Sequence, residues 1–359
     1  MRFRTTAGAL TIAVAMMWLT TNTAADQQAG GASTAKPAAT TAKPAAAKAY
    51  KAPRTPDGQP DLQGFWSNAT YTPLERGQNV TKEFYTPEEF EKLKLQRREN
   101  DEEQTTPGTT ADVHYDFTQF GLDKSQHTIV ENLRTSQIVD PPDGRLPPIT
   151  EEAKQRAQAA AAERKQRGGQ YDRVENMPNG SRCIIMGGAG PPLRDAGYNS
   201  NYHIVQGQGN VMILTEMIHD ARIIPLDNRP APPAGVKQWV GMSRGRWDGD
   251  TLVVETTNFN GRNPVGGGRG GAGSSEHVKI TERFTRTSDD QIEYRFTVED
   301  PHTWTRPWTA LNYLQKTNGP IFEFACHESN IGVSGILGGA RADEKRAAEA
   351  AAAKASGSR

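Results

Sequence analysis

The stretch GMSRGRWDGDTLVVETTNF, residues 241–259, decides the fold of this chain. It contains two runs suited to β-strands, and the turn formers Asp248, Gly249 and Asp250 separate them. A connection this short makes the two strands antiparallel neighbours. Outward from it, similar runs recur from about residue 182 to residue 337, with turn signals between them and no helical periodicity. We therefore predict a mainly β domain.

The sequence predicts nine strands in this region and one more around Phe65 and Trp66. The nine cover residues 202–206, 211–216, 221–226, 238–247, 251–259, 277–286, 291–299, 308–315 and 321–326. An antiparallel up-and-down meander of this size closes most simply into a β-barrel, because closure removes the exposed strand edges. We expect such a barrel, with helices at its periphery.

Composition divides the rest of the chain. Residues 1–25 have a basic start, an apolar run and small residues at their end, which predicts a cleavable signal peptide. Residues 26–55 are rich in Ala, Lys, Pro and Thr and predict a disordered tether. Residues 56–180 carry aromatic side chains without sustained periodicity, so we expect them to wrap around a barrel domain at 181–341. The tail, 342–359, is expected to be helical or disordered.

Two surface helices are predicted within the wrapping segment. Thr86, Pro87 and Glu89 have the spacing of a helix start with a capping box, before a charged run to about residue 103. The second helix is expected from Thr150 to Gly168. Both stretches lack a wide apolar face, so we expect them at the surface.

The predicted signal peptide implies a periplasmic or secreted protein. Its apolar run is shorter than the ~20 residues of a membrane span, and no cysteine follows it that could carry a lipid anchor. The chain has 42 basic and 42 acidic side chains. This balance argues against nucleic acid as a partner, and the sequence leaves the oligomeric state open.

Cys183 and Cys326 are the two cysteines of the chain. In an oxidising compartment they are predicted to form one disulfide. The alternative is a pair of free thiols, one of them a nucleophile.

Charged and aromatic side chains are dense in the predicted strands. Alternation places about half of the strand residues inside, where charged groups need a partner or a function. We therefore predict a site in the barrel for a small polar molecule or saccharide. The candidate ligand-binding residues are Arg182, Tyr202, Arg222, Trp239, Arg244, Trp247, Trp304 and Glu328.

Acid/base chemistry is the leading functional hypothesis for this site. His219 or His327 would be the base and Glu216 or Asp300 the acid, and the reaction class (lyase, isomerase or hydrolase) stays open. Two alternatives remain: a non-catalytic periplasmic carrier or sensor, and an envelope structural protein. An apolar cavity with the histidines outside it would favour the carrier. A filled barrel without a pocket would favour the structural protein.

No cofactor is implied by a complete motif. A divalent metal is possible if His203, His219 and His327 converge in the barrel, and the alternative is that they are structural histidines. Gly241 to Gly245 match the Gly-x-Ser-x-Gly pattern of a nucleophile elbow. That elbow requires a strand, a turn and a helix, whereas this chain continues as a strand, which argues against a serine hydrolase.

Four motifs resemble those of an uncharacterised family of secreted bacterial proteins. They are PDGQPDLQGFW at 56–66, VDPPDGR at 139–145, GRWDGDTLVVE at 245–255 and ACHESN at 325–330. The resemblance covers most of the chain from residue 56 to about 341 and implies no particular activity. Gly64, Phe65 and Trp66 also resemble the Gly-x-Trp signature of lipocalin-like barrels, in which the tryptophan stacks on a late arginine. The resemblance implies Arg341 for that arginine.

Overall fold

The computed structural model describes residues 50–101, 129–227, 229–230, 232–263, 265, 273–328 and 330–357. The predicted signal peptide and most of the predicted tether lie outside these residues. The described chain forms a nearly closed antiparallel β-barrel. Its strands are β1 Gly64–Ser67, β2 Ile138–Asp140, β3 Asn201–Gly207, β4 Asn210–Thr215, β5 Ala221–Pro225, β6 Met242–Asp248, β7 Thr251–Thr257, β8 Lys279–Arg286, β9 Gln291–Glu299 and β10 Trp308–Lys316.

The strands neighbour each other in the order β5-β4-β3-β1-β10-β9-β8-β7-β6, and β2 pairs with β10. Consecutive strands pair within two meanders, β3 to β5 and β6 to β10, as the short turns predict. The early strand β1 joins the two by lying between β3 and β10, and the predicted antiparallel barrel is confirmed. At the closure of the barrel, a Cβ on Gly245 of β6 would lie 2.8 Å from Ile224 of β5. The missing side chain lets these strands approach.

Side chains alternate along the strands between the barrel interior and its outer face. On β8 and β9, every second residue is buried, from Ile280 to Arg286 and from Ile292 to Val298. The interior is occupied by large buried side chains that pack into one cluster, among them Trp66, Tyr202, Phe284, Tyr294 and Trp308. This cluster is the hydrophobic core, and it occupies the space that the sequence suggested for a ligand.

The predicted strand at 321–326 does not form. β10 already has β9 on one side and β1 on the other, so no edge of it is left for another full strand. The segment is instead held by side chains: the Phe322 N–H donates to Glu216 at 3.1 Å, and Cys326 is bonded to Cys183. Residues 238–241 also lie outside the strand that they were predicted to begin.

Trp66 and Arg286 pack together inside the barrel, near the turn between β8 and β9. The Arg286 guanidinium lies 5.7 Å from the centroid of the Trp66 ring and donates to the carbonyl oxygen of Asp61 at 2.7 Å. The lipocalin-like resemblance implied Arg341 for this role, which is wrong. Arg341 lies on a helix outside the sheet and donates to the Tyr171 carbonyl.

The two predicted surface helices are confirmed as α1, Pro87–Asp101, and α2, Glu151–Gln166. Glu89 N–H donates to Thr86 Oγ1 at 3.2 Å while the Glu89 carboxylate accepts the Thr86 N–H, which is a capping box. Thr150 caps α2 by accepting the Ala153 N–H. None of the helices in the described part of the chain is long and apolar enough to cross a membrane.

Both predicted boundaries of the folded part shift in the structure. The ordered contacts begin before residue 56, since Tyr50 donates to Asp289 at 2.7 Å and Ala52 is buried. At the other end the sheet stops at Lys316, and a third helix, α3, spans Ile331–Gly357. The helical tail therefore starts upstream of its predicted start.

Candidate functional site

The charged residues inside the barrel neutralise each other. The guanidinium of Arg222 donates to both carboxylate oxygens of Glu282, at 2.7 and 3.2 Å, and the Tyr294 hydroxyl donates to the same carboxylate at 2.8 Å. Burial and the neighbouring Glu282 charge raise the pKa of Tyr294, so it remains a hydrogen-bond donor. Arg222 was predicted to bind ligand, and here its charge is satisfied within the core.

The same network fixes a segment that enters the barrel from outside. The Leu193 N–H donates to the Tyr294 hydroxyl at 2.8 Å, and the Tyr202 hydroxyl donates to the Arg194 carbonyl at 3.3 Å. Leu193 is buried in the main hydrophobic cluster. Two interior tyrosines therefore hold the backbone of residues 193–194 in place.

A cavity of about 350 Å³ lies beside this segment. Its walls come from residues 178–194 and from the connection between β7 and β8, so it sits at the end of the barrel where β7 finishes. The apolar side chains of the described lining are Pro178, Ile185, Met186, Pro191, Pro192 and Val265. The size is at the lower end of the range for small-molecule sites, ~300–1,000 Å³.

Glycines let the chain form the cavity wall. Gly188 has φ +86°, and a Cβ there would lie 2.7 Å from the Arg194 carbonyl oxygen. A Cβ on Gly190 would lie 2.7 Å from a methyl carbon of Val240. At Gly187, by contrast, a Cβ meets no atom within 4 Å. A side chain at Gly187 therefore has room beside the cavity, whereas side chains at the other two positions would clash.

Arg194 is the one charged residue in the described cavity lining. Among the described residues, its guanidinium has no hydrogen-bond partner and no carboxylate within 4.0 Å. The adjacent carboxylate of Asp195 is occupied elsewhere, by the Thr70 N–H at 3.0 Å and the Ser200 hydroxyl at 2.7 Å. Burial lowers the pKa of Arg194 and the nearby Asp195 charge raises it in part, and an arginine remains charged at neutral pH. The described lining therefore includes an arginine that has no ion pair within 4.0 Å in the described part of the chain.

Two asparagines add polar atoms to the cavity wall. The Asn179 side-chain N–H donates to the Arg262 carbonyl at 3.2 Å, and the Asn263 side-chain N–H donates to the Trp239 carbonyl at 3.1 Å. These bonds orient the amides and leave each Oδ1 without a partner among the described residues. The described lining thus combines apolar side chains, one arginine and two asparagine amides.

His219 and His327 come together outside the cavity lining. Their ring centroids are 6.5 Å apart, both side chains are exposed, and neither contributes to the described cavity wall. His219 Nδ1 lies 2.9 Å from the Phe324 carbonyl oxygen, so Nδ1 carries the hydrogen and Nε2 is free to accept one. Ile218 and His219 both have positive φ, 64° and 49°, which strains the backbone at the β-branched Ile218.

The predicted three-histidine metal site does not form. His203 stacks on Phe65 with ring centroids 4.2 Å apart, in a contact between β3 and β1. Among the residues with described positions, no three histidines, cysteines or carboxylates are close enough to hold a metal ion.

The two predicted acids serve as anchors for loops. Glu216 is buried and accepts from the Asn201 side chain at 2.6 Å as well as from the Phe322 N–H. Asp300 is buried and accepts from the Ser275 N–H, the Ser275 hydroxyl and the Thr303 hydroxyl at 2.6 to 2.7 Å. These hydrogen bonds occupy both carboxylates in the structure.

The predicted ligand-binding tryptophans are divided between two hydrophobic clusters. Trp247 packs against the main core, and Trp304 lies edge-on to Trp308 with centroids 5.7 Å apart. Trp239 packs in a second small cluster with Ile218, Phe324 and the disulfide. They do not share one ligand site.

The remaining predicted residues also stay apart. Arg244 donates to the carbonyl oxygens of Arg229 and Pro230, in the connection between β5 and β6. Glu328 is exposed and Arg182 is half-buried in the turn after Pro178.

The predicted disulfide is confirmed, since Cys183 and Cys326 are bonded with their Cα atoms 5.7 Å apart.

Comparison of the chain with known proteins found no matching family model, no matching curated protein and no matching solved structure. The candidate site therefore depends on the geometry alone. Sequence reasoning missed Arg194, Asn179 and Asn263. The available signal was the run GGAGPPLR at 187–194, in which an arginine directly follows a glycine- and proline-rich segment.

Proposed function

We propose that this protein is a non-catalytic carrier or sensor that binds a small organic molecule in the cavity at the end of the barrel. The observation that carries this proposal is the cavity itself, about 350 Å³ in volume, with mostly apolar walls and a few polar groups. Small-molecule sites usually have this composition, since apolar surface supplies the affinity and a few polar groups fix the orientation.

Two further observations favour binding over catalysis. The interior of the barrel is occupied by its own core, and the charged groups there are satisfied by Arg222, Glu282 and Tyr294. The histidines that could exchange protons, His219 and His327, are not among the described residues of the cavity wall. The apolar wall also suits a molecule with an apolar body better than a saccharide, whose surface is covered with hydroxyl groups.

A thermal-shift screen tests the proposal. The mature, disulfide-bonded protein is screened against organic acids, amino acids, sugars and neutral aromatic compounds. Gly187→Leu is screened in parallel, because Gly187 lines the cavity and has open space for a side chain. Gly207→Leu is the matched control: it also has open space but lies at the end of β3, away from the described lining.

We expect at least one compound to raise the Tm of the wild type and of Gly207→Leu but not of Gly187→Leu. Compounds that stabilise all three proteins equally would place binding outside the cavity. A screen in which no compound stabilises the wild type would also contradict the proposal. Tm and far-UV circular dichroism of the ligand-free variants establish that both are folded.

An acid/base enzyme is the second candidate, and the observation in its favour is the orientation of His219. Its Nε2 is free to take a proton, and burial raises the pKa of the neighbouring Asp220. The test is turnover of the stabilising compounds, measured for the wild type, His219→Gln and His327→Gln across pH. Turnover that is lost in His219→Gln would favour the enzyme over the carrier.

Export to the periplasm or beyond is also part of the proposal. The Cys183–Cys326 disulfide supports it, because such bonds persist in oxidising compartments. Amino-terminal sequencing of the protein recovered from the periplasm or medium tests it. We expect Asp26 as the first residue; an intact Met1 in the cytoplasmic fraction would contradict export.

A further inference from the structure

We propose that the cavity binds a monocarboxylate with an apolar body, and that Arg194 holds its carboxylate group. This inference rests on the proposed binding function and adds the chemical class of the ligand. It depends on two features of the site: the guanidinium of Arg194, which has no ion pair within 4.0 Å among the described residues, and the apolar wall.

The guanidinium of Arg194 favours an anion. Charged side chains that are withdrawn from water are normally paired, because desolvation is costly unless an opposite charge replaces the water. Arg194 is partly buried, and no carboxylate of the described residues lies within 4.0 Å of its guanidinium; the one described acid that acts on it, from farther away, is Asp195. An anion in the cavity would supply the missing partner, and the planar fork of an arginine matches the two oxygens of a carboxylate.

The position of Arg194 is fixed by the fold. Its carbonyl accepts from Tyr202, and the preceding residue is held by Tyr294. The neighbouring Asp195 cannot easily turn to neutralise it, since that carboxylate accepts from Thr70 and Ser200. The chain therefore holds an arginine at the cavity while keeping the adjacent carboxylate engaged elsewhere.

The rest of the wall favours a single negative charge on an apolar molecule. Arg194 is the one charged side chain in the described lining, so the wall offers a single positive charge to an anion. A phosphate group carries more charge and usually requires several donors. The apolar side chains, such as Ile185 and Met186, match the hydrocarbon part of an organic acid.

Isothermal titration calorimetry tests the assignment on the mature, disulfide-bonded protein. The probes are benzoate and hexanoate, their neutral counterparts benzamide and hexanamide, and inorganic phosphate. Each is titrated into the wild type, Arg194→Met and Arg262→Met. Arg262 is an exposed arginine next in sequence to the cavity residue Asn263, so its variant controls for loss of a nearby positive charge.

We expect benzoate or hexanoate to bind the wild type, with a Kd about tenfold or more higher in Arg194→Met and within about twofold of wild type in Arg262→Met. The amides should bind more weakly, with similar Kd in all three proteins. The Tm of ligand-free Arg194→Met should not fall, because the substitution removes an unpaired charge. This measurement also establishes that the variant is folded.

Each other outcome separates this inference from the proposed function. Carboxylates and amides that bind equally well, with no effect of Arg194→Met, would leave the cavity as a binding site and overturn the role of Arg194. Phosphate that binds more tightly than the carboxylates would overturn the ligand class. Failure of both carboxylates to bind the wild type would also overturn it, while the thermal-shift screen decides separately whether the cavity binds any compound.

Discussion

Arg222 on β5 and Glu282 on β8 form a two-pronged ion pair inside the barrel, with nitrogen-to-oxygen distances of 2.7 and 3.2 Å. The Glu282 side chain is fully buried and that of Arg222 is 9% exposed. Removing one partner of a buried ion pair leaves the other charge in the core without a partner. We therefore expect Arg222→Met to lower the free energy of unfolding by about 3–5 kcal/mol. Urea denaturation measures this.

The double variant Arg222→Met with Glu282→Met is the control for this prediction. It removes both charges, so it should cost less than Arg222→Met alone. A double variant that is less stable than the single one would contradict the view that the buried Glu282 charge, left without Arg222, causes the loss of stability.

The contact between Trp66 and Arg286 predicts a second stability effect. Arg286→Met removes a cation over the Trp66 ring and the hydrogen bonds that it donates to Asp61 and Asp289. We expect a loss of about 2–3 kcal/mol. Arg341→Met should change stability by less than about 0.5 kcal/mol, because that side chain is exposed. Equal losses in the two variants would contradict the assignment of Arg286.

The disulfide links positions 143 residues apart. Replacing Cys183 and Cys326 with serine frees the unfolded chain, which should lower the free energy of unfolding by up to about 4–5 kcal/mol. The expected result is a lower urea midpoint for the double serine variant, and a similar shift for the wild type in reductant. A variant with wild-type stability would show that the bond adds nothing to the fold.

Asp220 predicts a dependence of stability on pH. Burial raises the pKa of Asp220 above its ordinary value of 3.8, although the adjacent His219 lowers it in part. The folded protein then holds the proton of Asp220 more tightly than the unfolded chain does. The contribution of the protonated carboxyl group to stability is fully present below pH 3.8 and is lost as the pH rises through the raised pKa. Asp220→Asn should therefore be more stable than the wild type at neutral pH, with a difference that shrinks toward pH 3.5. Chemical denaturation at several pH values checks this, and a less stable variant at pH 7 would contradict it.

Much of the fold could be predicted from the sequence, because strand periodicity and turn residues are local signals. The hairpin at Asp248 and Gly249 and the capping box at Thr86 and Glu89 are such cases. The place of β1 between β3 and β10 could not be predicted, because it depends on a pairing between residues far apart in the chain. The strand predicted at 321–326 failed for the same reason.

The candidate site was harder to predict than the fold. Its charged residue, Arg194, stands out because no described carboxylate lies within 4.0 Å of its guanidinium, and a sequence does not record such distances. Arg222 had the opposite outcome: it was predicted to bind a ligand, yet its pairing with Glu282 leaves it no charge to offer one. The disulfide was predictable because the chain has two cysteines and one pairing.

The binding cavity is tested most directly by methyl NMR on protein labelled at the methionine methyl groups. Met186 lines the cavity, whereas Met212 on β4 and Met242 on β6 do not belong to its described lining. On titration with benzoate, we expect the Met186 signal to shift and saturate while Met212 and Met242 stay unchanged, and we expect the Met186 shift to vanish in Gly187→Leu. A Met186 signal that does not move while benzoate binds, or that moves equally in Gly187→Leu, would contradict binding in this cavity.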